Sequence, residues 1–515
     1  MKSRLLTSDF DLTTMHPLAR LDHLYLWHPF TQMRDWLRRE PLVIVRASGA
    51  LLRDAQGRQY LDANSSIWTN LHGHNHPAIN GAISRQLNRI AHSSALGLAN
   101  EPASRLAEQL VKAANPAVGQ ASCLPAGRMP APPYRRLKPG IRKVFFSDDG
   151  STAMEVALKL AYAFARRACR SAKPRFLSLR GAYHGDSVGA AALGHIDLFH
   201  KAYAGLLFKT DQVMAPYCYR CPFNRARPER ADAREYRKCR WECLDKLERK
   251  FEVQRKRGNP YAAFVFEPLI QGAAGMIPQP PGWLRQAAEI ARGHGALLIA
   301  DEVMTGFGRT GSPALPSDLP ARPSSPPAGP CLFACHHEGV QPDFLALAKG
   351  LTGGYLPMAA TLATQAVFQA FLGEYDEFKT FFHGHSFTGN QLGAAAALAS
   401  LKLLQGAQGL GARRQLEQTL RQELPTLWDL PNVGDIRQVG LVAGIELVKD
   451  WRTREPFDLR QRAGIRVCEA MAKRGVLTRP VGNVIVLMPP YCTTPAQARR
   501  MVAAVAHGVR ELRNA

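Results

Sequence analysis

Residues 296–311 read ALLIADEVMTGFGRTG. The apolar run Ala296–Ala300 carries no polar alternation, which fits a strand covered on both faces rather than one half in water. Asp301 stands where that strand ends. Ligands of open α/β sheets bind outside the carboxyl ends of the strands, so this carboxylate faces a site. Buried there, it needs a cationic partner to stay ionised. An acid that merely caps the next turn is the plainer alternative.

Working outward, the same alternation recurs. Lys143–Ser147 (KVFFS), Phe176–Leu179 and Ala263–Phe266 are further strand candidates, and AMEVALKLAYAFARRA after Lys143–Ser147 has helical periodicity. Strand–helix alternation predicts an α/β fold, a mostly parallel sheet covered by helices on both faces. From about Asn432, VAGIELV and NVIVLM alternate with helices as a smaller α+β part. The expected domains are an N-terminal segment, 1–75, that joins the small domain and the site, a large domain, 76–395, and a small domain, 396–515. Two stretches interrupt this pattern. Residues 116–139 hold six prolines and 312–330 hold seven, a density that removes backbone donors and marks surface inserts.

Lys349 lies in PDFLALAKGLTGGYLP, where a strand-like run delivers a lysine into a loop with Gly350, Gly353 and Gly354. A desolvated lysine has the lowered pKa that carbonyl chemistry requires, whereas a lone lysine is ordinarily a solvated charge. Asp301 and Lys349 are 48 positions apart, 29 without the 19-residue proline-rich stretch, which fits one strand–helix–strand passage. The pair suits pyridoxal phosphate, the acid holding the ring nitrogen protonated so that the ring withdraws electrons. In SDDGSTAMEVAL, Gly150 and Ser151 sit between a strand and a helix start, where free amides favour a phosphate. A capping box of Ser151 or Thr152 with Glu155 is compatible with that. Tyr183, in RGAYHGDS, offers a ring face beside His184 and Asp186, and Glu267 is another acid at a strand end.

These stretches, with EPLIQGAAGM and HGHSFTGNQLG, resemble class III, fold-type I pyridoxal-phosphate aminotransferases from about residue 22 to 510. The likeness implies that Lys349 carries the cofactor and shuttles the proton. It further implies that Asp301 partners the ring nitrogen, that Gly150 and Ser151 hold the phosphate, and that Tyr183 stacks on the ring. Glu267 and His385 fall in the cofactor site, and Ser386, after Gly384 and His385, is lent by a neighbouring subunit, which implies a homodimer. LWHPFTQM, SSIWTNLHGHNHP and LTRPVG are similar to a biotin-pathway subgroup that aminates 8-amino-7-oxononanoate. That likeness places Phe30, Ile67, Trp68 and Gly384 around the substrate and makes Arg479 the guanidinium that grips its carboxylate, a task suited to a planar fork. Members drawing the amino group from S-adenosylmethionine have two adjacent tryptophans where this chain has Ile67 and Trp68, and a tyrosine at Phe30. The forms here are more similar to members that use lysine. Another class III ω-amino-acid aminotransferase, or a mutase or racemase on the same fold, shares the cofactor motifs.

Other signals point elsewhere. Cys218-x2-Cys221 and Cys239-x3-Cys243 resemble a structural zinc site, the alternative being four reduced thiols. The chain's ten cysteines, with no signal peptide in MKSRLLTSDFDLTTMHP, suggest a reducing, cytoplasmic setting and no membrane segment. His72, His74, His76, His383 and His385 mimic metal ligands, but lie in segments the aminotransferase reading explains as active-site loops. The 515 residues carry a net charge of +24, from 66 Lys and Arg against 42 Asp and Glu. That balance leaves a nucleic-acid-binding protein as the competing class. No recognised nucleic-acid module accompanies it, and the Arg-rich stretch around 218–243 also contains acids, so the expectation is small-molecule substrates and no nucleic acid.

Overall fold

In the computed structural model, residues 14–115, 140–169, 171–311 and 331–512 are described. The two proline-rich segments lie outside them. The run after Gly295 forms a strand, Leu297–Asp301, in the middle of a seven-stranded sheet. In spatial order the sheet is Ile141–Ser147, Ala359–Thr364, Phe344–Leu347, Leu297–Asp301, Tyr261–Phe266, Arg175–Leu179 and Asp211–Val213. Of these, Ala359–Thr364 alone runs against its neighbours, and the pairings from Phe344–Leu347 to Asp211–Val213 are all parallel. The fold is α/β, a mostly parallel sheet buried on both faces, as expected.

The absence of polar alternation has a direct cause. Leu298, Ala300, Phe264, Phe266, Leu345 and Leu347 enter one apolar core, while Leu297, Ile299, Ala263, Val265, Phe344 and Ala346 enter another on the opposite face. Successive side chains point to opposite faces, so a strand buried on both must be apolar throughout. The helix Gly150–Ala168 covers the second face, and Glu242–Lys256 with Trp283–Gly293 cover the first. Among the described residues no helix is long and apolar enough to cross a membrane.

Two smaller sheets flank the large one. Val433–Val439, Val442–Asp450, Val484–Leu487 and Pro480–Val481 pair antiparallel in one. Ile44–Ser48, Leu51–Asp54 and Gln59–Asp62 form the other, completed by Val476–Leu477 from the far end of the chain. That last pairing, Leu477 opposite Asp62, ties the N-terminal segment to the strand leading into Arg479.

Three arginines of the arginine-rich stretch fasten it to the rest of the chain, while Arg225, Arg227, Lys238 and Arg240 are exposed. Arg220 bonds Glu446 (2.7 Å), Arg230 donates to the carbonyls of Val433 and Leu430, and Arg234 grips Asp232 and the carbonyl of Gln438. These three guanidinium groups staple the stretch to the C-terminal sheet. The zinc expectation is corrected here. Among the described residues no group of three or more His, Cys, Asp or Glu side chains is placed to hold a metal. Cys218 and Cys221 bracket a short 3-10 turn, Cys239 accepts from Arg237, and Cys243 sits in the first turn of Glu242–Lys256. Burial pushes the Cys218 thiol up to about 12 and that of Cys243 to about 11.

Candidate active site

Adjacent parallel strands deliver the site in spatial order. Phe344–Leu347 leads to Lys349, Leu297–Asp301 ends on Asp301, Tyr261–Phe266 leads to Glu267, and Arg175–Leu179 leads to Tyr183 and His184. The strand Ile141–Ser147 leads to Gly150 at the same edge. All five sequence segments thus converge at the carboxyl ends of the sheet.

Asp301 is 5% exposed; its Oδ1 accepts the amide of Val303 (3.0 Å) and its Oδ2 the Nδ1–H of buried His184 (2.7 Å). The turn-capping alternative is therefore present as well, on one oxygen only. The Nε2 of His184 is buried with no partner. Burial lowers the pKa of Lys349, opposed by the charges of Asp301, Glu267 and Asp186. None of these acids comes within ion-pair distance, and the Nζ stands 5.2 Å from the Trp68 ring centroid. An amine left unpaired amid carboxylates suits a lysine that binds a carbonyl. Glu267 accepts the amides of Gly272 (2.7 Å) and Tyr183 (3.4 Å), and burial drives its pKa up to about 7 despite nearby His184.

At the helix Gly150–Ala168 the cap is Asp149, in a box with Thr152, not Ser151 or Thr152 with Glu155. Glu155 instead accepts Ser187 and the amides of Gly189 and Ala190. With Asp149 serving Thr152, the amides of Gly150 and Ser151 have no protein partner, as first-turn amides of a helix do unless an anion meets them. A Cβ on Gly150 would lie 2.6 Å from Val303 and one on Gly185 2.4 Å from Ser151, so the backbone there is close-packed for a ligand to approach. The free lysine, the acid oriented by histidine and the open amide cradle fit pyridoxal phosphate.

The substrate-side residues gather on the same flank. Phe30 meets Tyr183 edge-on at 6.5 Å, and Arg479 reaches the carbonyl of Phe30 (3.4 Å), its guanidinium otherwise open to solvent. Tyr183 donates to Asp186 (2.7 Å). Ile67 and Trp68 belong to a turn invisible in the sequence: Ser65, Ser66, Ile67 and Trp68 have φ of 46°, 47°, 63° and 70°. Four left-handed residues without a glycine cost roughly 1–2 kcal/mol each. Not every expected residue converges. Gly384 and Ser386 are exposed; the loop bearing them packs against the 91–93 segment through His92 and Ser93. His385 pairs with Asp148 (3.2 Å) beside the helix cap. The other histidines part ways, His72 to Ser400, His74 to Asp62 and His383 to Lys159, while His76 caps a helix.

Comparison with known proteins supplies the family. Residues 33–315 and 328–509 match the Aminotransferase class-III profile. The chain is 46% identical over 94% of its length to the adenosylmethionine-8-amino-7-oxononanoate aminotransferase of Geobacter sulfurreducens, of which it covers 95%. The crystal structure of the like-named enzyme of Methanocaldococcus jannaschii superposes with a TM-score of 0.79 at 36% identity, covering 96% of this chain and 98% of that one. An ω-transaminase from Pseudomonas jessenii, solved in complex with PMP, gives 0.81 at 26% identity, covering 97% and 99%.

Proposed function

This chain belongs to the class III aminotransferases, enzymes dependent on pyridoxal phosphate, and on that premise we propose that it transfers an amino group to 8-amino-7-oxononanoate, giving 7,8-diaminononanoate for biotin synthesis. The observation that carries the reading is the array at the sheet edge, with Lys349 unpaired between Trp68 and the Asp301–His184 couple. Relatives over nearly the whole chain bear the name of this reaction.

The bound cofactor supplies an electron sink that acidifies the carbon bearing the amino group. The chain's own residues do the rest. Gly150 and Ser151 would offer amides to the cofactor's phosphate, and Asp301, aligned by His184, would partner its ring nitrogen. Tyr183 would stack on its ring, and Glu267 holds the 183 and 272 backbones in place. Lys349 would be the base that takes up the proton of the substrate carbon, burial lowering its pKa against the opposing charges of Asp301, Glu267 and Asp186. Arg479 would bind the substrate carboxylate, and Phe30, Ile67 and Trp68 would line its apolar chain.

The relatives' names point to adenosylmethionine as donor. Lysine is a second reading, favoured by Phe30, which lacks a hydroxyl, and by Ile67, an exposed aliphatic side chain in a position suited to a second indole. A homodimer fits the exposed apolar residues Leu96, Leu98, Phe382 and Phe387, which cluster on the 91–98 and 382–387 segments beside Ser386. A biosynthetic role of this kind belongs in the cytoplasm. Half-reactions test the reading: the visible band of the loaded protein is followed with adenosylmethionine, then with lysine, and the aminated enzyme is mixed with 8-amino-7-oxononanoate. Failure of the keto acid to restore the band would remove this function, while restoration by other ω-keto acids alone would leave a general ω-aminotransferase.

A further inference from the structure

The turn Ser65–Trp68 should not persist unaided. Each left-handed non-glycine residue crowds its Cβ against the following carbonyl, and β-branched Ile67 suffers most. A strained backbone survives where its surroundings over-determine it. Here one carboxylate makes most of the bonds to the segment that leads into the turn. Asp62 accepts the amides of Asn64 (3.3 Å) and Ser66 (3.0 Å), the hydroxyl of Ser66 (3.0 Å) and the Nε2–H of His74 (2.9 Å). Ser65 is pinned to the Met488 carbonyl (2.7 Å), and the Trp68 indole N–H donates to Asn64 (2.7 Å). The indole then lies beside Met304 and the core around Ile270 and Met276, with Lys349 over its ring. His74 is itself fixed by paired backbone bonds with Gly49.

We propose that Asp62, clamped by His74, is a positioning residue for the substrate side of this site: it holds Ser65–Trp68 left-handed and thereby sets Trp68 over Lys349 and leaves Ile67 facing the cleft. The same residue pairs with Leu477, two positions before Arg479, so one carboxylate stands where the indole and the guanidinium segments diverge. Burial works against its charge, yet bonds from His74 and Ser66 keep the carboxyl below its ordinary range, as a fully engaged anion requires. Asp62 touches neither cofactor nor substrate and acts through the turn. The proposal rests on Lys349 being the reactive amine of the proposed function.

Hydrogen exchange of the full-length protein tests it without turnover. In Asp62→Ala the amides of Trp68, Thr69 and Asn70, bonded to Asn64 and Ser65, should exchange about tenfold faster, with peptides over 297–301 unchanged. Introducing Ser66→Gly and Ile67→Gly into that background, where glycine accepts positive φ without strain, should restore most of the protection. In the loaded enzyme Asp62→Ala should raise KM for the keto acid about 30-fold or more, with kcat changed far less. Asp62→Asn keeps an acceptor and should fall between, which preserves the test if the alanine variant does not fold. Unchanged exchange at 68–70 in both single variants would overturn the proposal. So would equal acceleration in 297–301, or no recovery on adding the glycines. Wild-type protein inert toward the keto acid would instead remove the proposed function and leave the exchange result standing.

Discussion

His184 donates its Nδ1–H to Asp301 and keeps a buried, unpartnered Nε2. Under the proposed function a carboxylate so oriented would meet the ring nitrogen in one fixed pose, and by analogy with the outer partners of metal ligands its loss is worth about 10–100-fold. His184→Ala should therefore lower kcat by that order while Lys349→Ala abolishes turnover, a drop of about 10⁴-fold or more, and removes the band that borohydride would fix in the wild type. Glu267 adds a pH signature. Its carboxyl is raised from an ordinary 4.5 to about 7 by burial. A folded pKa above the unfolded one stabilises the fold fully below pH 4.5, and the contribution, on the order of 3 kcal/mol, is lost as pH rises through about 7. The melting temperature of Glu267→Gln minus that of the wild type should be more positive at pH 8 than at pH 5; a flat difference would show that Glu267 titrates normally. Asp301 and Lys349 were legible because each directly follows an apolar run, where a polar residue has no packing reason to be. The His184 bond was not, since it joins side chains 117 positions apart.

Arg437 shows what elements contribute beyond their own hydrogen bonds. Fully buried in the strand Val433–Val439, it donates to Asp435 (2.8 Å), Glu446 (2.6 Å) and the carbonyl of Gly275 (2.6 Å). It thus joins the C-terminal sheet to the loop whose Gly272 amide holds Glu267. Arg437→Met removes the guanidinium that bridges two buried carboxylates, leaving Glu446 with Arg220 and Asp435 with the charge of Arg234, and should cost about 3–5 kcal/mol in denaturant unfolding. The strands were readable from apolar runs alone, because two-sided burial removes alternation. The Ser65–Trp68 turn was unreadable for the opposite reason: no intrinsic preference of Ser, Ile or Trp favours it, and what holds it is the Asp62 side chain, four residues before Ser66, with a tertiary bond to Met488. The paired cysteines misled because proximity is not ligand geometry: the four thiols lie near enough to feel one another's charge, yet among the described residues no three such groups are placed to hold a metal.

At the scale of the whole molecule, Arg220, Arg230 and Arg234 serve as fastening to the C-terminal sheet, and the surface feature that invites a partner is apolar. Leu96 is 91% exposed, Phe382 72% and Phe387 60%, on segments joined by His92 to the Ser386 carbonyl. An isologous interface would bury this patch on both copies at once and carry each Ser386 toward the other copy's cradle at Gly150 and Ser151. Leu96→Asp with Phe387→Asp should then lower activity in parallel with a shift from dimer to monomer in sedimentation. Complementation is the sharper measurement. Lys349→Ala and Ser386→Ala protomers, each poorly active alone, would form hybrids in which one site has both residues intact and the other neither. Random exchange makes half the dimers hybrid, so about a quarter of wild-type activity should return on mixing. Sites completed within one chain would give only the average of the two variants, and Ser386 would then serve its own subunit or none.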